Sequence, residues 1–143
     1  MSTVYLIGSL RNPQVPAVAK QIRDGGFTVF DDWYAAGPEA DDYWRDYEKN
    51  RGRTYPEALR GLAAQNVFAF DLRNLEAADA AVLLMPGGKS AHLELGFMLG
   101  RGKPGFVLFT EEPERWDVMY QFANGVHFDT DELISDLKAT LQD

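Results

Sequence analysis

The sequence of 143 residues contains no cysteine, which removes disulfides, thiol nucleophiles and thiolate metal sites at a stroke. Its two histidines, His92 and His127, are too few for a His-rich zinc centre; no metal and no organic cofactor is expected. Cations are scarce: 14 Lys and Arg against 22 Asp and Glu leave a formal net charge of -8. A nucleic-acid polymer is therefore excluded as a partner, since such binding needs clustered cations to replace counterions. A single nucleotide is still open, because one phosphate needs only a local nest of N–H groups or an arginine. No apolar run reaches bilayer length, and the N-terminal Val4-Tyr5-Leu6-Ile7 has no basic flank. A cytoplasmic protein with no membrane partner is expected.

What is present suits a packed core. With 45% hydrophobic residues, the chain reads as one domain over residues 1–143. Thr3 to Ile7 is an apolar, β-rich run that breaks at Gly8-Ser9-Leu10-Arg11. Val15, Val18, Ala19 and Ile22 follow at helical spacing up to the stop at Gly25-Gly26, and Phe27 to Asp31 gives a second strand. Such a βαβ start favours a parallel sheet. Tyr55 to Ala78 reads as one long helix with Leu59, Leu62, Asn66 and Phe70 on one stripe and Phe68, Leu72 and Leu75 beside it. Ala80 to Met85 is apolar on both faces and so central. Gly105 to Phe109 and Val126 to Phe128 complete about five strands, and Thr130 to Leu141 a closing amphipathic helix. The expected fold is an α/β domain of three layers, flavodoxin-like or Rossmann-like, around a mostly parallel sheet.

The stretch from Met85 to Pro104 carries most of the chemistry. It leaves a strand, passes Gly87 and Gly88, and starts a helix expected to bear Glu94 in its first turn. Glycines admit a ligand close to the backbone, and free N–H groups at a helix start favour anions. In a parallel sheet this turn shares an edge with the Gly8-Ser9-Leu10-Arg11 turn and the Asp31-Asp32-Trp33 strand exit. Together they offer an anion cradle (Gly8, Ser9, Arg11, Gly87, Gly88, Ser90), an aromatic wall (Trp33) and a carboxylate. That collection suits a nucleoside or nucleotide. The charged, aromatic segment from Glu39 to Arg53 reads either as a solvated helix or as a flap over the pocket.

Four pieces resemble the nucleoside 2-deoxyribosyltransferase-like family, which includes 2'-deoxynucleoside 5'-phosphate N-hydrolases. They are Val4-Tyr5-Leu6-Ile7-Gly8-Ser9-Leu10-Arg11; Phe30-Asp31-Asp32-Trp33; Phe70-Asp71-Leu72 with Leu75 to Ala80; and His92 to Phe97 with Gly102-Lys103-Pro104. The resemblance implies that Glu94 attacks C1' of the sugar and displaces the base, with Tyr5 orienting it, and that water or a second base resolves the covalent glycosyl-enzyme. The transferases place an aspartate six residues before the nucleophile; here Gly88 stands there, leaving Asp31, Asp32 and Asp71 as candidate proton donors. Gly8-Ser9-Leu10-Arg11 looks more like the hydrolases' phosphate loop, which tilts the expectation to a 5'-monophosphate and hydrolysis. Asn124 matches the region through which a neighbouring subunit completes the family's site. Pro86 to Glu94 is also similar to the PGGxGTxxE signature of cytokinin-activating phosphoribohydrolases. The rival expectation is a nucleotide-sensing domain without turnover. Trp44, Met119 and Phe122 suggest more apolar surface than one such domain hides, hence a homodimer or larger homo-oligomer.

Overall fold

A computed structural model describes residues 1–141. The strands are β1 (Thr3–Ile7), β2 (Thr28–Phe30), β3 (Ala80–Leu84), β4 (Gly105–Leu108) and β5 (Gly125–His127), all parallel, in the order β2-β1-β3-β4-β5. The helices are α1 (Val15–Asp24), α2 (Ala40–Asn50), α3 (Tyr55–Leu59), α4 (Leu62–Ala77), α5 (Lys89–Gly100) and α6 (Thr130–Thr140), with 3-10 turns at Asp32–Ala36 and Val118–Phe122. This is the three-layer parallel architecture expected, of flavodoxin-like strand order.

Strand periodicity sorts the core into two faces. Val4, Leu6, Ala80, Val82 and Leu84 point to α1 and α6, where Val18, Ile22, Leu133 and Leu137 close on them. Tyr5, Ile7, Ala81 and Leu83 point the other way, to Leu75 of α4 and to Ala91, Leu95 and Met98 of α5. Every residue of β3 is buried, as a central strand covered on both faces requires. The strand order reverses between β1 and β3, so a crevice opens beyond their carboxyl ends; in open α/β sheets this is where ligands sit.

The single helix expected from Tyr55 to Ala78 is in fact two. A capping box between Thr54 and Glu57 starts α3, and the chain breaks at Arg60-Gly61 before α4. An ion pair from α2 packs against the break. Glu48 of α2, with a side chain only 3% exposed, pairs with Arg53 at 3.2 Å, and a Cβ on Gly61 would lie 2.7 Å from the Arg53 guanidinium. In the extended conformation that Gly61 adopts as the N-cap of α4, the ion pair fills the space beside its Cα. Leu59, Leu62, Phe68 and Phe70, expected on or beside the inward stripe, are exposed instead. At about 1.5 Å per residue α4 runs roughly 24 Å, beyond the reach of a five-residue strand of about 17 Å, and only its C-terminal end, at Leu75, is buried.

Candidate active site

Glu94 lies on the inward stripe of α5. Ala91, Leu95 and Met98 are the buried residues of that helix, and Glu94 follows Ala91 by three and precedes Met98 by four, so helical geometry turns its carboxylate towards the sheet. It sits in the second turn, not the first, because the helix already starts at Lys89 with Gly88 as its N-cap. The helix dipole and free N–H groups are therefore not what holds this acid.

Tyr5 of β1 holds it instead. The Tyr5 hydroxyl donates a hydrogen bond of 3.2 Å to Glu94 Oε2, from a ring 1% exposed. Asp71 is the third member. It stands four residues before Leu75 on α4, hence on the same helical face. Burial first, then the like charge of Asp71, pushes the Glu94 carboxyl up to about 7, while the Tyr5 hydrogen bond draws it down. Burial raises Asp71 as well. Burial, followed by the charges of Glu94 and Asp71, keeps the Tyr5 phenol protonated far above its ordinary value. The result is a neutral donor, a carboxyl group poised near neutrality and a second carboxyl with a raised proton affinity, a combination suited to nucleophilic and acid-base work.

The aromatic lining beside these groups is not the one expected. Parallel register sets Phe30 of β2 beside Tyr5, with ring centroids 4.9 Å apart, and Phe70 of α4 packs on Phe30 at 5.7 Å. The Arg73 guanidinium lies over Phe70 at 5.7 Å. Cross-strand register was the signal that pointed to Phe30, since it pairs with Tyr5 on one face. Trp33 serves the scaffold instead. Its indole N–H donates to the Leu6 carbonyl at 2.8 Å, and its ring packs into both core faces.

The remaining expected residues divide. Gly87 must be glycine, because a Cβ there would lie 2.9 Å from Leu83 Cδ1 and 3.0 Å from Ala91 Cβ. Gly88 faces open space, and Ser90 is exposed in the first turn of α5. At the neighbouring turn, Gly8 packs beside Trp33, and Ser9 Oγ accepts the Arg11 N–H at 3.1 Å. Arg11 is already engaged, with Asp42 at 3.1 Å and the Pro38 carbonyl at 3.3 Å. Asp31 is bound by Arg23 at 2.7 Å, so it is no free acid. Asn124 is not brought to this edge at all. Its side-chain oxygen accepts the Gly105 N–H at 2.9 Å, at the start of β4. His92 also points elsewhere, bridging the Gly88 carbonyl (2.8 Å) and the Tyr120 hydroxyl (2.9 Å).

Two grooves are lined by residues other than Tyr5, Glu94 and Asp71. One of about 640 Å³ includes His92, Leu99, Met119 and Phe122, and one of about 510 Å³ includes Trp116 and Phe128. Neither reaches Glu94. Among the described residues no group of three or more His, Cys, Asp or Glu could hold a metal ion, and no helix is long and apolar enough to cross a membrane.

No family model matches the chain, and no curated protein matches it in sequence. Solved structures do. The fold is similar to that of a 2-deoxyribosyltransferase from Bacillus psychrosaccharolyticus, with a TM-score of 0.61 and 20% identity over 93% of this chain and 90% of that one. It is similar to a CMP N-glycosidase, BcmB, from Clostridium botulinum, with a TM-score of 0.57 and 12% identity over 96% and 99%. A response regulator, TrrA of Thermotoga maritima, also matches, with a TM-score of 0.55 and 16% identity over 99% and 100%. The shared property is the fold.

Proposed function

We propose that this chain is an enzyme of the nucleoside 2-deoxyribosyltransferase-like family that cleaves the N-glycosidic bond of a (deoxy)nucleoside or its 5'-monophosphate, with hydrolysis favoured over transfer. The observation that carries the reading is the Tyr5–Glu94 hydrogen bond between β1 and α5, with the Asp71 charge acting on it. The similarity to a CMP N-glycosidase and a 2-deoxyribosyltransferase supports it.

In the first step the Glu94 carboxylate attacks C1' and the C1'–N bond breaks, its electron pair passing to the base. Tyr5 holds Glu94 Oε2, leaving the other oxygen to attack. Glu94 and Asp71, both raised by burial, share one proton; with Glu94 ionised it rests on Asp71 and passes to the leaving base, a role that Gly88 has no side chain to fill. Water then adds to C1' and loses its proton to Asp71, and Glu94 departs as carboxylate. Phe30 and Phe70 flank the site and offer faces for a flat base. Ser9, Arg11 and the N–H groups after Gly88 are the phosphate-side contacts. A cytoplasmic location goes with that substrate class. The exposed Met119 and Phe122 support a homodimer or larger assembly, which could bring Asn124 to a partner's site; a purely monomeric species in light scattering would remove that part.

The alternative, a nucleotide-binding domain without turnover, is favoured by Gly88 alone. Incubation with deoxynucleosides, ribonucleosides and their monophosphates decides: free base is expected, and it is lost in Glu94→Ala. No base from any of them would leave the binding reading. A new nucleoside on adding a second free base would shift the reaction to transfer.

A further inference from the structure

We propose that Asp42 is a specificity-determining residue, whose carboxylate occupies the Arg11 guanidinium that the substrate's 5'-phosphate would otherwise take; this rests on the functional reading above. Arg11 leaves the β1–α1 turn, beside Ser9, and directs two of its donors to the start of α2: Nη2 to Asp42 at 3.1 Å and Nε to the Pro38 carbonyl at 3.3 Å. Asp42 is shared with Arg45 at 3.5 Å, so its charge has a second partner when Arg11 turns away.

Two of the ion pairs of α2 differ in the property that matters. Glu48 is 3% exposed and its pair with Arg53 is locked. The Arg11 and Asp42 side chains are 67% and 45% exposed, so water and anions reach both. An exposed pair is worth little and exchanges readily, whereas a phosphate dianion offers the guanidinium a stronger, bidentate partner. Asp42 therefore acts as an internal competitor. It neutralises Arg11 when the ligand lacks a phosphate and repels a phosphate that arrives. Discrimination between nucleoside and nucleotide is set by a residue that need not touch either.

The test is Asp42→Asn, with Asp41→Asn as the control of equal charge, because Asp41 is exposed and makes no ion pair within 4 Å among the described residues. For Asp42→Asn, the ratio of kcat/KM for a deoxynucleoside 5'-monophosphate to that for the same deoxynucleoside rises about fivefold, the scale of one exposed ion pair; for Asp41→Asn it changes less than about twofold. In the Arg11→Ala background Asp42→Asn gives no gain. An unchanged or lower ratio, or an equal rise in Asp41→Asn, overturns the proposal. If no variant releases base, the enzyme reading has failed separately, and calorimetric titration with the monophosphate decides this one: tighter binding by Asp42→Asn alone supports it, equal binding defeats it.

Discussion

The two ends of the sheet carry the same kinds of polar residue in opposite circumstances. At the amino end, Asp79 accepts the Thr3 N–H at 2.8 Å, and Asn124 accepts that of Gly105. Lys103 donates to the carbonyls of Glu76 and Ala78 at the end of α4. Each side chain answers a backbone group that the ends of strands and helices leave unpaired. At the carboxyl end, Tyr5, Glu94 and Asp71 answer mainly one another, and burial shifts their protonation. A polar residue bonded to the backbone builds the fold; one facing another titratable group stores reactivity. The resemblance motifs mix both kinds, since Lys103 and Asp79 belong to the first and Glu94 to the second.

The sharpest way to break the contrast is to remove one member at each end. Glu94→Gln is expected to lower kcat for base release by about a thousandfold or more, yet to raise stability above neutral pH. The sign follows from linkage. The Glu94 carboxyl is raised in the fold, so its contribution is full below its ordinary value of 4.5 and is lost as pH rises through about 7. Thermal melts from about pH 5 to 8 should show wild type falling relative to the glutamine variant. Lys103→Met should do the reverse, costing roughly 2–3 kcal/mol by leaving α4 carbonyls unpaired, with kcat/KM unchanged at temperatures where it is folded. If Lys103→Met lost activity while its melting curve stayed put, the division between the two ends would be wrong.

A pH profile sharpens the carboxyl end further. For the wild type, kcat/KM should rise with pH through about 7, as Glu94 ionises into its nucleophilic form. Tyr5→Phe removes the hydrogen bond that lowers Glu94 and moves this limb to higher pH. Asp71→Asn removes the like charge and moves it lower. Shifts in the same direction would contradict the arrangement. The smallest effect is expected at Asn124→Ala, about 1 kcal/mol of stability from the Gly105 contact; a loss of kcat/KM of about tenfold, without such a change in stability, would instead place it at a partner's site.

Much of this was legible in the sequence. Alternating strand and helix signals pointed to the parallel sheet, and β3 declared itself central through its unbroken apolar run. Glu94 was visible as the acid of a helix that follows two glycines, although it was expected in the first turn and lies in the second. What local pattern could not reveal were pairings between distant segments. Gly61 reads as a weak spot within one helix until Arg53 and Glu48 are seen to occupy its side-chain space. Arg11 reads as a free phosphate ligand until Asp42, 31 residues on, is found against it. Phe30 was hidden behind the larger Trp33, whose indole is engaged by Leu6.

Gly87 and Gly88 are neighbours with unequal futures. A Cβ at Gly87 collides with Leu83 and Ala91, whereas one at Gly88 meets nothing within 4 Å. Every glycine codon is one base change from a codon for Asp or Glu, so a carboxylate at Gly88 lies a single mutation away, with open space around its first carbon. An acid can therefore be gained at that spot by one base change, without the backbone around it registering the event.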